Sequence, residues 1–160
     1  MKSIGVRVEP TKINYTILDK ENSELYSESL NIPKVMEDDV PRQLSFIRTT
    51  LYSIICEYDV KYAGLRTAEG STQNLNIFRI NIEGVIKELF SDSTIESYFT
   101  GTLNSMASRL EVTVDELKSC IDGKTELFDI KWSEISKNKR ESVLASLAAL
   151  NSNEGVFNNA

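Results

Sequence analysis

Arg7 is the first residue of the chain whose type and placement point to chemistry. In the run SIGVRVEP, Ile4, Val6 and Val8 alternate with Gly5, Arg7 and Glu9. A strand therefore puts Arg7 on the face opposite the apolar one, where a guanidinium suits a phosphate or a carboxylate. A second basic group lies far along the chain. Lys131, Lys137, Lys139 and Arg140, interleaved with Trp132, have the composition of a phosphate-backbone contact, and equally that of a solvated helix start. Between the two, Thr67 to Asn76 offers Ser71, Thr72, Gln73, Asn74 and Asn76 as polar contacts for a nucleic-acid backbone, as an ordinary surface loop also would. The chain has no histidine, so Ser-His-Asp and Cys-His catalysis, histidine general bases and most zinc sites are excluded. Any metal would have to be a hard cation on carboxylates. Cys56 and Cys120 are distant in sequence and read as two reduced thiols. The turns Ala68-Glu69-Gly70-Ser71 and Thr100-Gly101-Thr102 lack the spacing and the Gly-Lys-Ser/Thr of a phosphate-gripping loop.

The elements that must position these groups follow from periodicity. Ser3 to Leu18 reads as a hairpin, with Pro10-Thr11-Lys12 as its turn because proline fixes φ and lacks a donor. Glu24 to Asn31 is a third antiparallel strand. Asp38 and Asp39 cap a helix that accepts Pro41 in its first turn and carries Leu44, Ile47, Leu51, Ile54, Ile55 and Tyr58 on one face. Lys61 to Arg66 follows as a strand parallel to the first, completing a strand-helix-strand unit, and the polar run at its C-terminal end lies where α/β sheets place their sites. A second helix carries Phe78, Ile82, Val85, Ile86 and Leu89, with Gly84 read as a close helix contact. A fifth strand is expected over Thr94 to Phe99. Helices are expected around Leu103 to Leu110, from Val114 to Ile121 behind a Thr113/Glu116 capping box, and from about Ser136 to Leu150. Residues 1–150 are expected as one domain, with 151–160 a loose tail.

With 160 residues, 41% of them hydrophobic and 26% charged, the chain has the composition of an ordinary globular domain with one core. No apolar run is long enough to cross a bilayer, and Met1-Lys2-Ser3 leads into a strand rather than a signal peptide. The expected location is the cytoplasm, with no membrane partner. A net charge of −6 argues against coating nucleic acid by bulk electrostatics while leaving room for a local basic patch.

The order of elements resembles the RNase H-like fold, and more narrowly the RuvC-type Holliday-junction resolvases. Gly5-Val6-Arg7-Val8-Glu9-Pro10, leading to Asn14-Tyr15-Thr16-Ile17-Leu18, is similar to the family's G-[IV]-D-P-G-T opening and its G-Y-x-[IV]-L second strand. Ala63-Gly64-Leu65-Arg66-Thr67 fills the place of A-[IV]-E-E, and Asn138-Lys139-Arg140-Glu141-Ser142-Val143 echoes D-K-x-x-[AV]. The likeness spans roughly residues 3 to 150. The chain also resembles a small RuvC-related bacterial family of unknown function with arginine in the fourth strand. What the resemblance implies is a mixed five-stranded sheet, three antiparallel strands followed by alternating helices and parallel strands, with helices on both faces.

It further implies two-metal phosphodiester hydrolysis on acidic side chains of the first strand, the fourth strand and the last helix. Here those positions hold Arg7, Arg66 and Asn138. A unit charge about 4 Å from a divalent ion contributes roughly 8 kcal/mol at an effective dielectric of about 20, and a guanidinium makes that term repulsive. No catalytic residue, metal or cofactor is therefore expected, and the chain reads as a binding or scaffold protein whose partner is nucleic acid or protein. A homodimer through the second helix is a further expectation. Candidate anion-binding residues are Arg7, Arg66, Lys137, Lys139 and Arg140. Alternatively, Arg7 and Arg66 form an ion network with Glu9, Glu69, Glu83 or Glu141, or those four acids rebuild a displaced magnesium or manganese site in a divergent nuclease.

Overall fold

A computed structural model describes residues 1–70 and 76–157, with side chains placed through residue 151. Strands β1 (Lys2–Val8), β2 (Lys12–Asp19) and β3 (Glu24–Asn31) form the antiparallel part of a five-stranded sheet, and β4 (Tyr62–Arg66) and β5 (Ser97–Gly101) continue it in parallel, in the order β3-β2-β1-β4-β5. The hairpin closes where Glu9 N–H donates to Lys12 O at 2.9 Å, leaving Pro10 outside the ladder. Helix α1 (Val40–Glu57) begins at Asp39, whose side chain accepts from Arg42 N–H, with Pro41 in the first turn as the sequence predicts. Helix α2 (Ile77–Ser91) begins at Asn76, whose side chain accepts from Arg79 N–H. Helices α3 (Leu103–Arg109), α4 (Val114–Ile121) and α5 (Lys137–Phe157) complete the chain. Among the described residues no helix is long and apolar enough to cross a membrane.

Strand alternation divides the sheet into two unlike faces. Ile4, Val6, Val8, Ile13, Tyr15, Ile17, Ala63 and Leu65 face α1 and α2, where they pack with Ile47, Leu51, Ile55, Ile82, Ile86, Leu89 and Phe90. The other face is small and polar. Ser3 Oγ donates to Ser146 O (2.8 Å), Thr16 Oγ1 lies 2.8 Å from Ser142 Oγ, and a Cβ at Gly5 or Gly64 would run into the α5 backbone. Glycine at these two positions therefore brings α5 down against the centre of the sheet. Around α5 a second core gathers Phe99, Met106, Leu110, Leu117, Trp132, Val143 and Leu144.

Three expectations are revised. β5 starts at Ser97 rather than Thr94: Ser93 Oγ accepts from Ile95 N–H (3.3 Å), Ile95 plugs the core, and Glu96 and Ser97 donate to Lys61 O, so the apolar alternation of Thr94 to Glu96 belongs to a turn. Gly84 lies inside α2 without breaking it, but nothing comes within 4 Å of a Cβ built there, because the position is solvent-exposed. The last helix continues past Leu150 to Phe157, since no proline stops it and Gly155 weakens it by only about 1 kcal/mol relative to alanine. Ser71, Thr72, Gln73 and Asn74 lie outside the described residues.

Tyr15 supplies a pH test of this packing. It is 8% exposed and pairs across strands with Glu28. Burial, then Tyr26 and Glu28, push its hydroxyl up to about 12 from 10.0. The folded pKa is raised, so the stabilisation is complete below pH 10 and is lost as pH climbs from 10 toward 12. The unfolding free energy of the wild type is expected to fall through that window by up to about 2 kcal/mol more than that of Tyr15→Phe. Parallel alkaline unfolding curves for the two proteins would reject this.

Candidate functional site

β1 and β4 run parallel with Arg7 and Arg66 as Cα partners, so both side chains project from adjacent strands toward α5. Opposite them α5 presents Glu141. Arg7 Nε donates to Glu141 Oε2 at 3.1 Å and Arg66 Nε to Glu141 Oε1 at 3.2 Å, so one carboxylate bridges two guanidiniums. Arg7 Nη1 donates to Arg66 O and Thr67 O, both at 3.2 Å, and Arg66 Nη1 also donates to Thr67 O. Arg66 Nη2 lies 3.0 Å from Glu69 Oε1, which in turn accepts from Leu103 N–H at 3.2 Å. The Arg66 side chain is only 6% exposed.

Arg79 joins the group from α2. Its Nε is buried, 3.7 Å from Glu83 Oε1 and beyond hydrogen-bond reach, while Glu83 accepts from Ala68 N–H at 2.9 Å. Burial first, and Arg7 second, hold both Arg66 and Arg79 below the ordinary guanidinium range, against the opposing pull of nearby carboxylates. Arg7, Arg66 and Arg79 thus face Glu141, Glu69 and Glu83 in a compact, formally neutral cluster at the C-terminal ends of the two central strands. The ion network expected for Arg7 and Arg66 is present, with Glu141 as its hub. Sequence reasoning overlooked Arg79. The Arg79/Glu83 spacing of i, i+4 on a helix was its only signal.

The remaining candidates are dispersed. Glu9 accepts from Asn14 Nδ2 (2.9 Å) and lies 3.6 Å from Lys12 Nζ, on the hairpin turn. Asn138 is half-buried in the first turn of α5. Lys137 pairs with Asp122 at 3.8 Å, and Lys139 Nζ reaches Ser27 O at 3.5 Å. Arg140 turns inward, where Nε donates to Trp132 O and Ile135 O (2.9 Å each) and Nη1 to Ile121 O (2.8 Å). It ties the segment before α5 to the end of α4, and Trp132, at 0% exposed, is core rather than a stacking platform. Lys137, Lys139 and Arg140 therefore do not present one surface, because successive residues on a helix point about 100° apart.

The magnesium pair that the resemblance implies does not fit these residues. Two guanidiniums project from the central strands, and both oxygens of the carboxylate between them are engaged. Among the described residues no group of three or more Asp, Glu, Cys or His is arranged to hold a metal. The four alternative acids are likewise occupied by Lys12, Asn14, Arg66, Ala68 N–H, Arg7 and Leu103 N–H.

No protein-family model matches the sequence, and no curated protein matches it. Solved structures do. Thermus thermophilus RuvC superposes with a TM-score of 0.70 at 9% identity, over 97% of this chain and 96% of that one. T. thermophilus RuvC in complex with its Holliday junction substrate gives 0.65 at 8% identity over the same shares. The fold is RNase H-like and of the RuvC kind, as the order of elements predicts.

Proposed function

We propose that this chain is a RuvC-like domain that binds rather than cuts, a scaffold whose former metal position is sealed by charge. The observation that supports this best is Glu141 held by Arg7 and Arg66 on the two central strands. An ion pair on each oxygen of that carboxylate offsets the negative charge a cation would need, and two adjacent positive groups repel one. The partner is nucleic acid or another protein. The likeness to a protein solved with a Holliday junction supports the first, and the acidic balance together with the neutralised arginines supports the second.

Incubation of the purified protein with junction DNA and magnesium or manganese is expected to leave the DNA intact, with no calorimetric heat at millimolar metal. Cleavage that disappears on Glu69→Gln or Glu141→Gln would overturn the proposal in favour of a divergent nuclease. A gel shift that weakens with salt identifies nucleic acid as the partner, because phosphate contacts are salt-dependent. No shift at low salt removes nucleic acid as the partner.

A further inference from the structure

Every other arginine among the described residues has an anionic or carbonyl partner. Arg7 and Arg66 share Glu141, Arg42 pairs with Asp39, Arg48 with Glu88 and Asp92, Arg79 with Glu83, and Arg140 donates to three carbonyls. Arg109, at the end of α3, has none among the described residues. Its Nε is buried without a hydrogen-bond partner, and its guanidinium carbon stands 4.6 Å from the centre of the Phe99 ring. Stacking on a buried ring fixes the plane of the fork and leaves its in-plane N–H groups for an acceptor.

This arginine lines an open hollow of about 550 Å³ between α3 and β5, the edge strand of the sheet. The other lining residues are Phe99, Thr100, Asn104, Ser105 and Ser108, so hydroxyl and carboxamide donors surround the cation and, among the described residues, no carboxylate does. Gly101 makes room for this arrangement: a Cβ there would fall 2.6 Å from Ser105 Cβ. Burial alone lowers the Arg109 pKa, with no neighbouring charge to offset it.

We propose that the hollow between α3 and β5 binds a phosphate group, with Arg109 as its counter-charge and Thr100, Asn104, Ser105 and Ser108 as hydrogen-bond donors. A tetrahedral oxyanion has enough acceptor sites for a fork and several hydroxyls at once, whereas a carboxylate would leave part of this set unused. The site is separate from the Arg7/Arg66 cluster, and its occupancy does not depend on whether that cluster is silent.

The test titrates inorganic phosphate, glycerol phosphate and acetate into the protein at constant ionic strength, read by calorimetry and by the Arg109 Nε and Phe99 ring resonances. Saturable millimolar or tighter phosphate binding that shifts both resonances is expected, with acetate weaker. Binding about tenfold weaker in Arg109→Gln and severalfold weaker in Ser105→Ala is expected as well. Tighter binding of glycerol phosphate than of free phosphate makes the ligand a phosphomonoester; equal binding makes it the free ion. Should Arg109→Gln not fold, the wild-type resonances and Ser105→Ala decide. No saturation, unmoved resonances, or equal affinity in folded wild type and variants would overturn the proposal.

Discussion

Glu141→Gln is expected to lower stability by about 2 to 3 kcal/mol, because it removes the charge on which two largely buried guanidiniums converge. For a chain of 160 residues this corresponds to a fall of about 5–10 °C in the midpoint of thermal unfolding. The amide can accept from one arginine, but its NH2 then faces the other. Desolvation already disfavours the charge on Arg66, and Arg7 adds to it, so the loss of Glu141 leaves Glu69 as its main counter-charge. Pairing the change with Arg66→Met is expected to recover part of the loss, since an apolar side chain of similar length needs no counter-ion. A change below about 0.5 kcal/mol would place this carboxylate among ordinary surface ion pairs and remove the basis for calling the site sealed.

A larger effect is expected from a single methyl group. In Gly5→Ala the new Cβ would overlap Ser142 O and Ser146 N and approach the Ala145 carbonyl carbon to 2.9 Å, all backbone atoms of α5. A rotamer change cannot relieve this, because the atoms in the way belong to the helix itself. Either α5 lifts from the sheet or the chain does not reach its native state, a cost of more than about 4 kcal/mol. Circular dichroism and urea unfolding would register it as lost tertiary signal. Gly84→Ala is the matched control. With nothing within 4 Å and a helix interior around it, the change is expected to stabilise by up to about 1 kcal/mol. A native-like Gly5→Ala protein would refute the account of how α5 seats.

The fold was legible because its strands alternate cleanly and its helices carry strong stop and start residues. Asp39 with Pro41 and Thr113 with Glu116 mark helix starts that the structure reproduces. The placement of Arg7 opposite Ile4, Val6 and Val8 was legible for the same reason. What Arg7 touches was not, because Glu141 lies far away in sequence and a list of charges does not say which pairs meet. The basic run around Arg140 was misleading because inward and outward positions of a helix interleave. Arg140 and Trp132 serve the interior, although their neighbours read as surface. Arg109 carried no signal in sequence, since an unmatched arginine becomes visible only once every other arginine has found its partner.

The seating of α5 on β1 has a consequence for how the molecule comes into being. Ser3 reaches Ser146 and Arg7 reaches Glu141, so β1 meets its covering helix only after nearly everything between them has been made. Until then the small, polar face of the opening hairpin stands bare while its apolar face can already collect α1. Biogenesis would thus proceed in two stages, an early half-layer followed by a late lid, with the interval set by translation speed. Synonymous codons that slow synthesis between β4 and α5 would lengthen the time this half-finished intermediate waits for chaperones or proteases.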